Sequence, residues 1–381
     1  MGRALALVTV AVTAVACSTP VDTAREHPPR PTPARSVTSS VTYLDVRWDA
    51  LSARAMGMSE KDVKNRMSGS LADVAVITPR DVWAVGARTP SDTRRWHEET
   101  RAVVLHWNGS GWRPVKPPAG MRSPDLIAAS SSDNVWVIER YRPGVHRWDG
   151  HTWTDLGAPR ITDPAVPKGF SLGLDSAVVT GPREAWVAGK AYVDDEGPAY
   201  PYLARRTASG WSQVPTPGGM TISRLEALSP DDVWAVGEKD GTLAIAHWDG
   251  RRWRPTPTPV APTRGGDVAI RAVSRDEVWA TVASIARVMR WDGTRWTMLP
   301  PPPTGSACMI TGGGPGKLWM VATEYTRVQP RISTVSAVLL RYDGRSWSVE
   351  DLPASYAKCR GALARDPDTE RLFWAADFTA K

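Results

Sequence analysis

Residues able to bind a ligand are concentrated in three long segments that separate apolar runs of the sequence. Residues 87–101 read ARTPSDTRRWHEETR, residues 190–200 read KAYVDDEGPAY, and residues 323–335 read TEYTRVQPRISTV. Exposed indole rings stack on sugars, and functional residues are often found on loops that a rigid scaffold holds. Ordinary solvated loops are the competing interpretation. The candidate ligand-binding residues are Trp96, His97, Glu98, Glu99, Tyr192, Asp194, Asp195, Glu196, Tyr325 and Arg327.

Motifs for catalysis or metal binding are weak. Asp194, Asp195 and Glu196 could offer oxygens to Ca²⁺, but EF-hand spacing is absent around them, and no Cys/His cluster has zinc spacing. His106 and His247 occupy equivalent positions before a Trp, which predicts a structural role. A G-x-S-x-G nucleophile motif is also missing. The sequence therefore predicts no catalytic residue, metal or cofactor, although carboxylates for glycoside cleavage could converge from separate segments.

The elements that must position these segments belong to a recurring unit. Its clearest copy, residues 231–253, reads DDVWAVGEKDGTLAIAHWDGRRW. Its two apolar runs are rich in Val, Ile and Trp, and Asp249-Gly250 is a strong hairpin signal. A four-residue loop would place Trp248 and Trp253 opposite each other as a cross-strand pair. With a first strand ahead of Pro230, one unit predicts a four-stranded antiparallel sheet.

The unit repeats along nearly the whole chain. The second-strand Trp recurs every 40 to 55 residues, a period that suits propeller blades. A W-N/D-G-x-x-W hairpin motif follows it at Trp107, Trp148, Trp248 and Trp291, with Tyr342 in a variant copy and Trp211 in a degenerate one. Packing between blades is the simplest explanation of these indoles. The second-strand positions are Trp83, Trp136, Trp186, Trp234, Trp279, Trp319 and Trp374.

Seven copies predict an all-β fold, a single β-propeller with seven four-stranded blades. The last copy, residues 363–376, supplies only two strands, so we expect the strand at residues 43–49 to complete it and close the ring. Residues 50–67 contain helix-forming residues and a possible cap at Ser59, which predicts a short helix that packs against or plugs the ring.

The motifs resemble those of kelch and galactose-oxidase-like propellers. The shared features are an apolar strand ending in Gly, an aromatic-Asp turn followed by Trp, and a Pro-containing link such as residues 214–217. This chain has Val-Gly, as at Val85-Gly86 and Val236-Gly237, where kelch repeats have Gly-Gly. The turn and Trp are also similar to the Asp-box of sialidase-type propellers, with a spacing that differs by one. The resemblance implies architecture, and neither family's catalytic residues match positions here.

The N-terminal residues predict export. Residues 1–16 have the layout of a signal peptide: a positive start, a short apolar run and small residues before Cys17. Residues 14–17, AVAC, resemble the lipobox of bacterial lipoproteins, which implies lipidation at Cys17; simple secretion is the alternative. Residues 17–40 are Pro-rich and predict a disordered tether, and residues 41–381 form the predicted propeller.

The charge and the cysteine content of the chain limit which partners and which disulfide are expected. The net charge of +7 would permit binding to acidic envelope polymers or to anionic lipid. Export makes nucleic acid an unsuitable partner. A solubilised surface is the competing explanation of this charge. Cys308 and Cys359 fall in or just before first strands of neighbouring blades, and they could form a disulfide.

These observations lead to one functional hypothesis and one alternative. We expect an exported, lipid-anchored, monomeric propeller that acts as a non-catalytic binding or scaffold module for an envelope protein or polysaccharide. The alternative is a carbohydrate-active enzyme with its site at the mouth of the propeller channel, which analogy of fold supports.

Overall fold

The computed structural model describes thirteen stretches of the chain. They are residues 5–8, 42–43, 46–49, 68–90, 99–193, 197–260, 268–282, 287–312, 316–329, 332–351, 362–365, 372–375 and 377–379. Three short strands come first: β1 (Leu5–Val8), β2 (Thr42–Tyr43) and β3 (Val46–Asp49). Residues 50–67, where a helix was expected, lie outside the described residues.

Three four-stranded antiparallel blades follow, each a meander in chain order. Blade 1 contains β4 (Ser68–Thr78), β5 (Asp81–Thr89), β6 (Arg101–Trp107) and β7 (Trp112–Pro114). Blade 2 contains β8 (Pro124–Ser131), β9 (Asn134–Glu139), β10 (Val145–Trp148) and β11 (Trp153–Asp155). Blade 3 contains β12 (Ser171–Gly181), β13 (Glu184–Tyr192), β14 (Tyr200–Thr207) and β15 (Gly210–Gln213).

A 3₁₀ turn at Pro217–Gly219 leads into the second half of the ring. Blade 4 contains β16 (Thr221–Ser229), β17 (Asp232–Lys239), β18 (Thr242–Trp248) and β19 (Trp253–Pro255). Blade 5 contains β20 (Val268–Ser274), β21 (Glu277–Val282), β22 (Arg287–Trp291) and β23 (Trp296–Met298). Blade 6 contains β24 (Ser306–Gly312), β25 (Leu318–Gln329), β26 (Ile332–Tyr342) and β27 (Trp347–Asp351).

The chain is therefore a single all-β propeller, but the prediction of seven blades was wrong: six sheets have four blade strands each. The last copy forms only a hairpin of β28 (Ala362–Arg365) and β29 (Leu372–Ala375), which contacts β4 and β24. The strand expected to complete it, β3, pairs instead with β1. Trp374 occupies a second-strand position, but the hairpin motif that gives the third and fourth strands of the other blades does not follow it. The last copy therefore has too few strands for a blade.

Two further strands extend the first and last blades. β30 (Asp377–Thr379) pairs with β4 in antiparallel register, and β2 pairs with β27 in parallel. Within the described part of the chain, no helix has the length and hydropathy needed to cross a membrane.

Tryptophan packing joins each blade to the next, as the sequence predicted. The second-strand indoles of blades 1 to 6 are each at most 2% exposed. The ring of Trp186 in blade 3 lies 5.2 Å from Trp248 and 5.5 Å from Trp253 in blade 4. Trp248 and Trp253 form the predicted cross-strand pair, with ring centroids 5.8 Å apart. Burial of one such indole stabilises the fold by roughly 5 kcal/mol on area alone.

The two strand histidines are structural, which confirms their predicted role. The imidazole of His247 stacks on Trp234 at 4.3 Å, and its Nε2 lies 2.8 Å from Asp232 Oδ1. The same Asp232 oxygen accepts the indole N–H of Trp234 at 3.1 Å. Blade 1 repeats this arrangement with Asp81, Trp83 and His106. These polar groups are therefore committed to the interior of the blade.

A bulge in the first strand shapes the channel. In five of the six first strands one extra residue interrupts the register with the second strand, as between Leu71 and Asp73 in blade 1. Where the strands meet beside the bulge in blade 4, a Cβ added to Gly237 would lie 1.9 Å from the carbonyl oxygen of Thr221. The Val-Gly sequence of the repeat is therefore a requirement of close backbone approach.

Candidate functional site: the mouth of the central channel

A cavity of about 310 Å³ lies where the first strands of all six blades converge. Its walls come from β4, β8, β12, β16, β20 and β24, so residues far apart in sequence meet there. Small and aliphatic side chains line much of it. The charged residues that line it are Asp73, Asp125, Arg140, Asp175, Arg224, Glu226 and Arg271.

Asp125 and Arg140 lie toward the end of the channel from which the second-to-third strand connections emerge, whereas Glu226 and Arg271 lie deeper, opposite Trp234 and Trp279. In each antiparallel blade, the start of the first strand lies beside the end of the second. In blade 2, Pro124 pairs with Glu139, the last residue of β9, and Arg140 begins the connection to β10. Asp125 and Arg140 therefore mark the mouth of the channel on this face.

Two ion pairs cross between blades along the channel. Arg140 of blade 2 donates from Nη1 to Asp175 Oδ1 of blade 3 at 2.5 Å, and Arg271 of blade 5 donates from Nη1 to Glu226 Oε2 of blade 4 at 3.4 Å. Both carboxylates thus have a guanidinium partner. These pairs help fix the relative positions of neighbouring blades.

Asp73 joins blade 1 to blade 2. Its Oδ2 accepts the backbone N–H of Ile127 and its Oδ1 that of Val74, both at 2.9 Å. Burial raises the pKa of the Asp73 carboxyl to about 6, against the opposing effect of these two hydrogen bonds and of Arg224 and Arg140. Asp73 can therefore exchange a proton near neutral pH.

Two other cavity carboxyls are also less acidic than usual. Burial raises the pKa of Asp125, although the backbone N–H of Arg140 and its guanidinium oppose the shift. Burial likewise raises the pKa of Glu226, against the charge of Arg271. Desolvation therefore dominates the electrostatics of this channel.

Exposed apolar side chains flank the same mouth. Among the described residues, the exposed large hydrophobic side chains are Tyr141 at 66%, Val193 at 56%, Leu228 at 39% and Met298 at 37%. Tyr141 directly follows Arg140 in the second-to-third connection of blade 2, and Val193 begins the corresponding connection of blade 3. The two most exposed members thus lie on neighbouring connections of one face.

Further aromatic side chains lie at the edge of blade 3 where Val193 follows β13. Phe170 and Tyr200 pack edge to face, with ring centroids 5.3 Å apart. The Tyr192 ring lies against Gly173, where an added Cβ would be 2.9 Å from Tyr192 Cε1. We call Tyr141, Val193 and Arg224 the mouth surface, since they line or flank the channel opening.

The predicted site is tested only in small part. Glu99 and Tyr192 are described, and Tyr192 packs beside the mouth surface. The backbones of Tyr325 and Arg327 lie in β25, paired with Val335 and Ser333, so residues 323–329 and 332–335 are strands and the expected loop was wrong there. The remaining predicted ligand-binding residues lie outside the described part of the chain: Trp96, His97, Glu98, Asp194, Asp195 and Glu196.

The predicted disulfide and lipidation sites stay predictions. Cys17 and Cys359 lie outside the described residues, and only the backbone of Cys308, in β24, is described. Where the structure describes side chains, no group of three or more His, Cys, Asp or Glu residues is arranged to hold a metal ion.

Sequence reasoning missed the cavity charges and Tyr141. One signal was present in the sequence. In blades 1 to 4 a charged residue lies at or next to the bulge of the first strand: Asp73, Asp125, Asp175 and Arg224. The corresponding residues of blades 5 and 6 are Ala269 and Met309. Charged residues at channel-lining positions of an otherwise apolar strand could have indicated the site.

Comparisons with known proteins identify the fold. No protein-family model matches this chain, and no curated protein matches it. A catalytically inactive virginiamycin B lyase from Staphylococcus aureus with quinupristin superposes with a TM-score of 0.52 at 14% identity, over 81% of this chain and 95% of that chain. YCF48 bound to D1 peptide gives a TM-score of 0.47 at 15% identity, over 74% and 80% of the two chains. RRP9 WD40 repeats give 0.49 at 12% identity, over 81% and 89%.

The structural neighbours are thus propellers and WD40-type rings. At these identities the likeness extends to the fold alone, which in other proteins commonly serves as a binding or scaffold module. The kelch resemblance is carried by sequence motifs only.

Proposed function

We propose that this chain is a non-catalytic binding or scaffold module that presents the mouth surface to a partner protein. The observation that carries the proposal is the position of Tyr141 and Val193. The two most exposed large apolar side chains of the described chain lie on adjacent connections beside a charged channel. Apolar side chains grouped at a functional opening are typical of an interaction site.

The chemistry of the remaining polar groups supports binding over catalysis. The repeated acidic residues at the start of the second strands accept indole N–H groups, as Asp81 and Asp232 do. The Asp residues of the hairpin turns accept backbone N–H groups, as Asp292 does from Thr294 and Arg295 at 2.9 Å. Most acidic side chains of the repeat therefore have structural partners within their own blade.

Export and anchoring are part of the proposal. We propose that residues 1–16 direct export, that Cys17 is lipidated, and that residues 17–40 hold the propeller away from the membrane. The partner would then be a protein, or a polysaccharide, of the cell envelope. Simple secretion remains the alternative to the lipid anchor. A mature N-terminus beginning at Cys17 and carrying diacylglycerol, measured by mass spectrometry, tests this part.

Partner capture tests the binding surface. The whole exported protein is crosslinked in cell envelopes as wild type, as a Tyr141→Ser/Val193→Ser double variant, and as a matched Leu228→Ser/Met298→Ser double variant. We expect the first variant to lose a crosslinked protein that the wild type and the matched variant both retain. Equal recovery by all three proteins would reject the mouth surface as the binding site.

A second candidate function has a specific observation in its favour. Asp73 and Asp125 line one cavity with raised pKa values, which is the environment that an acid catalyst of glycoside cleavage requires. The alternative is therefore a carbohydrate-active enzyme. Screening envelope glycans for turnover by wild type and Asp73→Asn protein separates the two: turnover that the substitution abolishes would favour the enzyme.

A further inference from the structure

Arg224 differs from the other two arginines of the cavity. Arg140 and Arg271 each pair with a carboxylate, whereas the Nη1 of Arg224 donates to the backbone carbonyl oxygens of Asp175 at 2.9 Å and Ser223 at 3.3 Å. Among the described residues, no carboxylate lies within ion-pair distance of Arg224. Its side chain is exposed at the channel mouth. Two backbone carbonyl oxygens thus orient a guanidinium that interacts with Asp73 and Glu226 only at longer range.

A continuous set of contacts links this guanidinium to the exposed apolar side chains. Arg224 contacts the backbone of Asp175, the side chain of Asp175 binds Arg140, and Tyr141 is the next residue after Arg140. The carbonyl oxygen of Arg140 also accepts the N–H of Leu174 at 3.0 Å, which attaches the blade 2 connection to β12.

Val193 lies close to the same region. It follows Tyr192, which pairs with Ser171 at the start of β12. About 10 Å of extended strand separates Ser171 from Leu174, the residue that holds the blade 2 connection. Tyr141, Val193 and Arg224 can therefore be covered by one short segment of a partner.

We propose that Arg224 binds a carboxylate of a protein partner while an apolar side chain next to that carboxylate covers Tyr141 and Val193. The carboxylate belongs either to an Asp or Glu side chain or to the end of a chain. This inference rests on the proposed function and specifies the chemistry of the partner. Guanidinium groups bind carboxylates by charge-assisted, often bidentate hydrogen bonds, so Arg224 gives the site polarity and direction.

A protein fits this surface better than an acidic polysaccharide. Val193 is aliphatic and offers no ring on which a sugar can stack, whereas apolar side chains of a protein segment can pack on both Val193 and Tyr141. A carboxylate also fits better than a phosphate. Asp73, Asp125 and Asp175 line the same cavity, and their repulsion grows with the charge of an incoming anion.

An array of short peptides tests the inference. Each peptide contains Leu and Phe and is synthesised in three matched forms: with one Glu and an amidated end, with Gln and a free end, and with Gln and an amidated end. Oligogalacturonate is spotted beside them as the acidic saccharide. Labelled full-length protein is applied as wild type, as Arg224→Gln, and as Arg251→Gln, a matched loss of an exposed cation in the third-to-fourth turn of blade 4, at the opposite end of the blade.

We expect the wild type to bind a carboxylate-bearing form about tenfold more tightly than the amidated Gln form. The Glu form and the free-end form identify which source of carboxylate the site takes. Arg224→Gln should remove this preference, and Arg251→Gln should retain it. Added salt should weaken the preference in wild type, because the pair is exposed to solvent.

Three results would overturn the inference. They are equal binding of all three peptide forms, a preference that survives Arg224→Gln, and tighter binding of oligogalacturonate than of any peptide. The Tyr141→Ser/Val193→Ser variant separates this failure from failure of the proposed function. If that variant loses peptide binding while Arg224→Gln does not, the mouth surface stands and the carboxylate is rejected.

Discussion

Gly237 lies in β17, where the facing first strand bulges toward it. An added Cβ would come within 1.9 Å of the Thr221 carbonyl oxygen and 3.0 Å of the Ile222 Cα. These are backbone atoms, so the contact cannot be relieved by turning a flexible side chain. Gly86 and Gly189 meet the same constraint in blades 1 and 3. The glycine is thus required by geometry, whatever its effect on strand propensity.

Gly237→Ala should therefore destabilise the propeller by about 3 kcal/mol, because the bulged strand must move away from β17. The matched control is Gly111→Ala, since a Cβ at Gly111 has no atom within 4 Å. Urea unfolding of the two variants measures the difference. Equal midpoints would contradict the close approach.

Asp232 receives bonds from three side chains at the start of β17: Trp234, His247 and Arg275. Burial raises the pKa of Asp232, but the hydrogen bonds and charges of His247 and Arg275 outweigh it, so the pKa ends below its ordinary value of 3.8. The stability that this carboxylate contributes is complete above pH 3.8 and is lost as the pH falls through the lower folded-state pKa.

At the equivalent position of blade 2, Asn134 accepts the indole N–H of Trp136 at 2.8 Å, so an Asn side chain can replace the Asp as acceptor. We expect Asp232→Leu to cost about 2 kcal/mol at neutral pH, because it leaves a buried indole N–H without an acceptor. Asp232→Asn should cost less and should weaken the loss of stability in acid. Thermal unfolding between about pH 2 and pH 7 checks both expectations; identical profiles for wild type and Asp232→Asn below pH 3.8 would refute the assignment.

At the scale of elements, Asp73 holds together the first strands of blades 1 and 2. Its folded-state pKa of about 6 lies above the unfolded value of 3.8, so folding favours the protonated form. Above pH 6 the folded protein bears the full free-energy cost of burying the ionised Asp73 carboxylate. This cost decreases as the pH falls toward 3.8, because the carboxyl becomes protonated. The raised pKa values of Asp125 and Glu226 likewise make the folded protein more stable as the pH falls. The positive charges of Arg140 and Arg224 favour the ionised carboxylates and so reduce these pKa shifts.

The wild-type protein should therefore become more stable as the pH is lowered from about 7 to about 5, by roughly 1 kcal/mol from Asp73 alone. Asp73→Asn should flatten this part of the profile. Chemical unfolding at a series of pH values measures it, with Asp163→Asn on an exposed loop as the control. An unchanged slope in Asp73→Asn would show that another group titrates.

The hairpins could be predicted from sequence and the closure could not. The W-D-G-x-x-W spacing sets a four-residue loop, and Trp248 and Trp253 pair across it as expected. Local turn chemistry carries this information. Closure depends instead on how two distant termini pair, and there the repeat at Trp374 predicted a blade where the chain forms a hairpin. The hairpin of β25 and β26 was also missed, because residues 323–335 lack alternating apolar positions.

At the scale of the whole molecule, the candidate site is a product of convergence. Asp73, Arg140 and Arg224 are separated by 67 and 84 residues along the chain and meet only because three blades share one channel. No local motif contains that information. Sequence reasoning placed its candidate residues on the face of the second-to-third connections, and that assignment stays a prediction. It could not predict which side chains of the first strands would face one another.

The central claim is that a protein partner covers the mouth surface. The most direct measurement is site-specific photo-crosslinking in intact cells, with a benzophenone amino acid at position 141 in one strain and at position 228 in another. Leu228 is the control because it is an exposed apolar residue at the other end of a first strand. We predict a discrete protein adduct at position 141 that is absent at position 228. Adducts at both positions, or at neither, would contradict the claim.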